Sequence, residues 1–151
     1  MQRIGDKQLN FFESEPSASF LVSKGVVYKC IVKSQLGQKV YVGSTETDFK
    51  SRYYNHKTSF NNDKHKNATT LSSYIWKIKE RGEEDIQITW EVLKKCEPYT
   101  NLSKKCKLCL EEKFLILTYK QPNELLNKRS ELLAKCRHST KFLLRTFNSN
   151  D

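Results

Sequence analysis

Two apolar runs early in the chain have the composition and length of β-strands. Residues 26–32 are rich in Val, Tyr and Ile, and residues 39–43 resume the same pattern after a polar stretch at 35–38 that contains a glycine. Two such runs around a glycine-containing turn predict a β-hairpin. The hairpin would place Tyr28 and Tyr41 on neighbouring strands.

The following segments alternate between helical and strand periodicity. After Ser44 or Thr47 as a candidate N-cap, apolar and aromatic side chains recur at helical spacing as far as Phe60. The same reasoning predicts a helix over 70–81 that stops at Gly82, a half-buried strand over 86–92 and a largely buried helix over 108–119. The predicted fold class is therefore α/β, with a small central antiparallel sheet of about three strands flanked by helices.

Length and composition divide this chain into one core and two flanking segments. At 151 residues the length favours one domain. Residues 1–24 contain few periodic apolar positions and predict a loosely ordered leader. The core spans 25–128, and a basic C-terminal segment occupies 129–151.

The charge balance points to a polyanionic partner. The chain carries 27 Lys and Arg against 17 Asp and Glu, a formal net charge of +10. This excess favours nucleic acid, whereas an anionic membrane surface rests on charge alone. The polar start predicts no secretory signal, and the five cysteines are an odd number, which indicates a reducing compartment. We expect an intracellular protein, in the nucleus if the host is eukaryotic, with no membrane partner.

Four side chains in the first half of the core could together act on a phosphodiester. A phenol and an imidazole can relay a proton, which Tyr28, Tyr41 and His56 could supply. A guanidinium holds phosphate oxygens in a planar fork, and Arg52 lies one helical turn before His56, on the same face. Further along, Glu111 and Glu112 lie in the predicted helix, where one should face inward and the other outward.

The order of these residues resembles the GIY-YIG nuclease family over roughly residues 25–128. The first motif appears as Val26-Val27-Tyr28 and the second as Tyr41-Val42-Gly43. The chain departs from the family at Val26 and Val27, which replace Gly-Ile, and at Val42, which replaces Ile. The remaining matched positions are Arg52, His56, Glu112 and Asn127.

The resemblance implies a DNA endonuclease, an enzyme that hydrolyses phosphodiester bonds with a single Mg²⁺ or Mn²⁺. Glu112 would hold this ion and Arg52 would neutralise the scissile phosphate. Tyr28, aided by Tyr41 or His56, would take a proton from the attacking water. Asn127 would lie near the metal and phosphate, although an asparagine after two leucines could equally be a turn or cap residue. The implied catalytic residues are Tyr28, Tyr41, Arg52, His56, Glu112 and Asn127.

Contacts to DNA are predicted for six positions along the chain. Basic side chains of the C-terminal segment would follow the phosphates. The predicted DNA-binding residues are Gly43, Tyr54, Lys128, Arg129, Arg137 and Lys141.

A second constellation consists of cysteines and a histidine. Cys106 and Cys109 form a C-x₂-C pair, and Cys136 and His138 supply a thiol and an imidazole, a set that suits tetrahedral Zn²⁺. Cys96 is a possible substitute ligand, and buried free cysteines are the alternative. This motif beside the core resembles the endonuclease domains of Penelope-like retroelements, which implies nicking of target DNA and a reverse transcriptase as a possible partner.

Two other function classes are compatible with these features. A non-catalytic, zinc-stabilised nucleic-acid-binding module would bind DNA without a divalent ion. A zinc-stapled protein-interaction domain would show no DNA affinity. The presence of five site residues in the matching order favours the enzyme.

Overall fold

The structure, a computed structural model, describes residues 11–97, 99–100, 106–133 and 136, with side chains from residue 14 onward. Within this part of the chain, one sheet lies between two helical layers. The four strands are β1 (Phe11–Glu13), β2 (Lys24–Ser34), β3 (Gly37–Asp48) and β4 (Ile86–Lys95). The five α-helices are α1 (Ala18–Leu21), α2 (Phe49–Asn61), α3 (Thr70–Glu80), α4 (Lys107–Leu117) and α5 (Arg129–Leu133).

The sheet has the strand order β1-β4-β2-β3. Its three long strands are antiparallel, which confirms the predicted hairpin and the central antiparallel sheet flanked by helices. The short β1 adds a parallel neighbour at the β4 edge, which the sequence analysis did not predict. At the other edge, β3 pairs with the chain through Val40 and Leu125.

Side-chain alternation on β2 and β3 divides the apolar residues between the two layers. One face carries Tyr28, Cys30 and Tyr41 and packs against α1, α2 and α3 in the larger core. The opposite face carries Val27 and Val42, which pack with Leu108 and Ile116 of α4 in a smaller core. No helix in the described ranges is both long and apolar enough to cross a bilayer.

Residues 11–23, the described part of the predicted leader, contain regular structure, whereas residues 1–10 lie outside the described residues. Besides β1, this part contains α1, where Ser17 caps the helix by accepting a hydrogen bond from the Phe20 backbone N–H. The Phe20 ring stacks on Phe49 with ring centroids 4.1 Å apart. The reason lies in tertiary packing, which periodicity within 1–24 does not reveal.

Two predicted boundaries differ from the structure. The second strand continues through Ser44 and Thr47 to Asp48, and Asp48 is the N-cap of α2, its carboxylate accepting from the Ser51 N–H at 3.2 Å. The strand gains this length because Lys24 at the start of β2 pairs with Asp48. The helix α3 begins and ends close to the prediction, with Gly82 at φ +74° just after it.

The helix α4 is less buried than predicted. Only Leu108 and Ile116 are buried, while Phe114 is 56% and Leu117 is 72% exposed. The helix therefore contributes one narrow apolar stripe to the smaller core, and the rest of its surface faces outward.

Candidate active site

The register of the hairpin places the two tyrosines of the predicted motifs on one face. Tyr28 lies directly across from Gly43, and Cys30 lies across from Tyr41. Since residues two apart on a strand share a face, Tyr28 and Tyr41 are diagonal neighbours above the sheet. On the other side of β2, a bulge opposite Tyr28 shifts its pairing with β4.

Gly43 provides the space in which the Tyr28 ring lies. A Cβ atom at this position would be 2.6 Å from the Tyr28 hydroxyl oxygen, 2.7 Å from its Cζ and 3.0 Å from Cε1 of Tyr41. No larger side chain fits without displacing a ring. Gly43 is buried, and the contacts that the structure gives it are with these tyrosines, whereas its predicted contact with DNA stays a prediction.

Helix α2 brings Arg52 and His56 to the Tyr28 hydroxyl. The hydroxyl is 2.7 Å from Nε2 of His56, and Nε of Arg52 donates a hydrogen bond to it at 3.2 Å. The i, i+4 spacing predicted from the sequence therefore produces two contacts at one phenol. His56 also lies edge-on to Tyr41, with ring centroids 5.9 Å apart.

Burial dominates the protonation of both phenols. Tyr28 has no exposed surface and Tyr41 is 8% exposed. Burial raises the pKa of Tyr28 well above its ordinary value, and the nearby Tyr41 raises it further, although Arg52 opposes the shift. Burial likewise raises the pKa of Tyr41 to about 12. Both phenols are therefore protonated at neutral pH.

The two basic partners of Tyr28 differ in charge. Burial, and secondarily the charge of Arg52, lowers the pKa of His56 to about 3, so the imidazole is neutral. Burial by itself lowers the pKa of Arg52, but the interactions with Tyr28 and Tyr41 offset this effect and leave the pKa above its ordinary value. The cluster thus combines a permanent cation with a neutral proton acceptor.

Glu112 reaches the same region from the opposite layer. Its carboxylate accepts a hydrogen bond from the Ser44 hydroxyl across the outer edge of β3. Burial raises its pKa, which the Ser44 hydrogen bond and Arg52 partly oppose. Glu111 instead forms an ion pair with Lys94 at 3.0 Å, so the two glutamates have different partners, and both are half-buried.

A cavity of about 440 Å³ joins Arg52 and Glu112. It opens beside the last third of β3, and residues of α2 and α4 form its two sides. Its lining residues are Ser44, Thr45, Glu46, Thr47, Ser51, Arg52, Asn55, Cys106, Leu108, Cys109, Glu112 and Cys136. The volume lies within the usual size range of small-ligand pockets.

Asn127 lies at the edge of β3. Its Oδ1 accepts from the Val42 N–H at 2.8 Å, and its Nδ2 donates to the Val42 carbonyl at 2.8 Å. Its amide therefore pairs with the strand like a backbone residue, and Asn127 is not among the residues that line the cavity. These contacts are with a distant strand, and they differ from the local turn or cap contacts of the alternative stated above.

Three of the predicted zinc ligands lie in the described residues and line the same cavity. The Cys106 sulfur accepts a hydrogen bond from the Cys109 N–H at 3.4 Å and so caps α4. Burial raises the pKa of Cys106 to about 11, and that of Cys109 is raised by burial and by Cys136. Among the described side chains, no group of three or more His, Cys, Asp or Glu is arranged to hold a metal ion. The fourth predicted ligand, His138, lies outside the described residues.

The predicted DNA contacts differ in accessibility. Tyr54 is exposed on α2, and Lys128 and Arg129 are exposed at the start of α5. Arg137 and Lys141 lie outside the described residues.

Several polar residues of the cavity were not predicted as site residues, and for Ser44 and Asn55 the sequence does contain a signal. Ser44 follows Gly43 on a strand that continues, so alternation would have placed it on the α4 side. Asn55 follows Arg52 by three residues, which is helical spacing for one face. Strand alternation could have indicated Ser44, and helical spacing could have indicated Asn55. Ser44 was not predicted because the second strand was expected to end at Gly43.

No protein-family model, curated protein or solved structure matches this chain.

Proposed function

We propose that this chain is a metal-dependent DNA endonuclease that hydrolyses phosphodiester bonds. The observation that carries the proposal is the convergence of Arg52 and Glu112 on one cavity, with Tyr28 and His56 hydrogen-bonded directly behind Arg52. A cation, a carboxylate and a proton relay are the groups that phosphodiester hydrolysis requires. The basic charge of the chain favours DNA as the substrate.

The residues around Glu112 fit a hard divalent cation. Mg²⁺ binds through one or two carboxylates, keeps several waters and takes further oxygens from a phosphate. Glu112 and the Ser44 hydroxyl offer oxygen donors at the wall of an open cavity. When bound there, Mg²⁺ or Mn²⁺ would stabilise the leaving 3′ oxygen and the charge of the transition state.

The protein residues would share the work of binding and proton transfer. Arg52 would hold non-bridging oxygens of the scissile phosphate. Tyr28 would accept a proton from the attacking water while its own hydroxyl proton passes to Nε2 of His56, with the other imidazole proton on Nδ1. The phenol is never a free phenolate in this exchange, despite the raised pKa of Tyr28. The proton instead forms an imidazolium at His56, whose pKa is lowered to about 3, so His56 would hold the proton only transiently and return it within the same turnover.

A plasmid-nicking assay tests this function. Purified protein is incubated with supercoiled plasmid and Mg²⁺ or Mn²⁺, and the open-circular product is measured over time. We expect nicking that EDTA abolishes and that Tyr28→Phe reduces strongly, whereas Tyr119→Phe, which removes the hydroxyl of a residue that does not line the cavity, nicks like the wild type. Plasmid binding without nicking under either ion would contradict the proposal.

The burial of Tyr28 and His56 favours a second candidate, a non-catalytic nucleic-acid-binding module with the same fold. Both groups are almost completely enclosed, and their mutual hydrogen bond would also stabilise a binding domain. Such a module would bind plasmid equally well in EDTA. The nicking assay separates the two candidates.

We further propose that Cys106, Cys109 and Cys136 bind structural Zn²⁺ together with His138. The soft thiol donors suit this ion, and three of them lie at one cavity wall. Elemental analysis should find about one zinc per chain. Cys109→Ser should lose this zinc and Cys30→Ala, in the larger core, should keep it. Equal zinc content in both variants would contradict the site.

A retroelement setting, with a reverse transcriptase as partner, belongs to the same proposal. It rests on the resemblance of the C-terminal residues. Co-purification of the tagged chain with a polymerase activity would test it.

A further inference from the structure

The segment from Leu125 to Asn127 covers one part of the outer edge of β3. Leu126 N–H donates to the Val40 carbonyl at 2.8 Å. The Asn127 side chain then forms hydrogen bonds with both the backbone N–H and the carbonyl of Val42. Ser44, two residues further along the strand, already lines the cavity. The covered edge therefore ends where the candidate active site begins.

A carboxylate from α5 holds the Asn127 amide in this position. Nδ2 of Asn127 donates its second hydrogen to Oε2 of Glu131 at 2.6 Å. A primary amide has two N–H donors, and both are now used, one on Val42 and one on Glu131. Since an ionised carboxylate can only accept hydrogen bonds, Glu131 must face the Nδ2 end of the amide, which leaves Oδ1 of Asn127 facing the Val42 N–H. The other carboxylate oxygen of Glu131 accepts from the Thr70 hydroxyl at 3.4 Å.

Val42 links the Glu131–Asn127 contact to the candidate active site through its neighbours on β3. It lies between Tyr41 and Gly43, the two residues that enclose the Tyr28 ring on β3. A shift of the strand at Val42 would move Tyr41 against His56 and close or widen the space above Gly43. Glu131 is also near enough to act electrostatically on Tyr41.

We propose that Glu131 is a positioning residue for the cleavage site, acting through Asn127 on the β3 backbone at Val42. Glu131 touches neither substrate nor metal in this role. The inference rests on the proposed nuclease function. It assigns to Asn127 a scaffold role in place of direct contact with the phosphate.

Two readouts test the proposal, and one of them does not depend on cleavage. We call the hydrogen-bonded chain from Glu131 through Asn127 to Val42 the clamp. Hydrogen exchange of the Val42 amide reports the clamp, because Asn127 is the acceptor of that N–H. Single-turnover nicking reports the site. We expect Glu131→Ala to accelerate Val42 exchange and to reduce the nicking rate by about 10-fold to 100-fold, the usual range for supporting contacts, with little change in plasmid affinity.

Matched variants separate positioning from loss of structure. Glu131→Gln keeps an oxygen that accepts from Asn127, so it should restore slow exchange and most of the nicking rate. Ser130→Ala, on the exposed side of the same helix, should behave like the wild type in both assays. Melting temperatures of Glu131→Ala and Glu131→Gln should be similar.

Three results would overturn the proposal. Unchanged Val42 exchange in Glu131→Ala would show that the clamp does not hold the strand. Faster exchange with an unchanged nicking rate would show that the clamp does not serve the site. If the wild type never nicks, the proposed function fails and the positioning role fails with it, while Val42 exchange still shows whether the clamp exists.

Discussion

In the proposed function, the Tyr28 hydroxyl is the group through which the proton is transferred. It contacts a neutral imidazole on one side and a permanent cation on the other, inside a core of aromatic rings. In such surroundings proton transfer along an existing hydrogen bond is easier than forming an isolated phenolate, which burial opposes.

Arg52 should be irreplaceable by lysine. Arg52→Lys keeps the positive charge but loses the Nε hydrogen bond to Tyr28 and the planar fork for phosphate oxygens. We expect the nicking rate to fall by about 100-fold or more, the range for loss of a preorganised donor. The measurement is single-turnover nicking, with Arg81→Lys at the exposed end of α3 as control. A rate within a few-fold of the wild type would contradict the role of Arg52.

His56 should make the fold sensitive to acid. Its pKa is about 3 in the folded protein and 6.5 ordinarily. A lowered folded-state pKa means that its contribution to stability is complete above pH 6.5 and is lost as the pH falls toward 3. We therefore expect His56→Gln to lose less melting temperature between about pH 7 and about pH 4 than the wild type does.

The exposed His65 supplies the matched control for this prediction. His65→Gln should follow the wild type across the same pH range. If His56→Gln and the wild type decline in parallel, His56 does not remain neutral on folding as its burial requires.

At the scale of elements, the hairpin and α2 were predictable from sequence because their information is local. A period of two fixes which strand residues share a face, and a spacing of four fixes Arg52 beside His56. The elements that were missed depend on distant partners. The strand β1 exists because β4 offers an edge, and Ser44 reaches Glu112 only because α4 packs across β3.

The difference between local information and distant partners also decides which residues of the candidate site could be predicted from the sequence. Tyr28, Tyr41, Arg52, His56 and Glu112 could be predicted because a sequence motif orders them. The contact of Asn127 with β3 could not, since a lone asparagine after two leucines gives no sign of which strand its amide will meet. The exposed face of α4 was likewise hidden, because apolar content alone does not tell how much of a helix a sheet will cover.

Packing of α1 on the larger core should contribute to the stability of the fold. Phe20 is buried and stacks on Phe49, which also contacts the Tyr28 ring. Phe20→Ala should lower the free energy of unfolding by about 3 kcal/mol, as for other buried aromatic truncations. Chemical denaturation measures this value, and Val22→Ala, at a side chain that is 70% exposed, should change it little. Equal stability of both variants would mean that α1 is not part of the core.

At the scale of the whole molecule, excess positive charge should set the salt dependence of DNA binding. Each phosphate contact contributes about −0.9 to the slope of log affinity against log salt. Replacing Lys128 and Arg129 together by alanine should therefore make the slope shallower by about 2. Binding is measured by fluorescence anisotropy over a salt series.

A second charge-matched pair shows whether this effect is local. Alanine at Lys64 and Lys66 removes the same charge from an exposed turn. If both pairs change the slope equally, α5 is not a specific contact surface and the interaction follows net charge alone.

The most direct test of the nuclease proposal compares two neighbouring glutamates on one helix. Glu112 faces the cavity and Glu111 pairs with Lys94 at the surface, so Glu112→Gln and Glu111→Gln make the same chemical change in different places. Single-turnover nicking of plasmid in Mn²⁺ should be lost in Glu112→Gln and retained in Glu111→Gln, with both variants folded and able to bind DNA. Nicking by Glu112→Gln at the wild-type rate would contradict the assignment of this cavity as a metal-dependent active site.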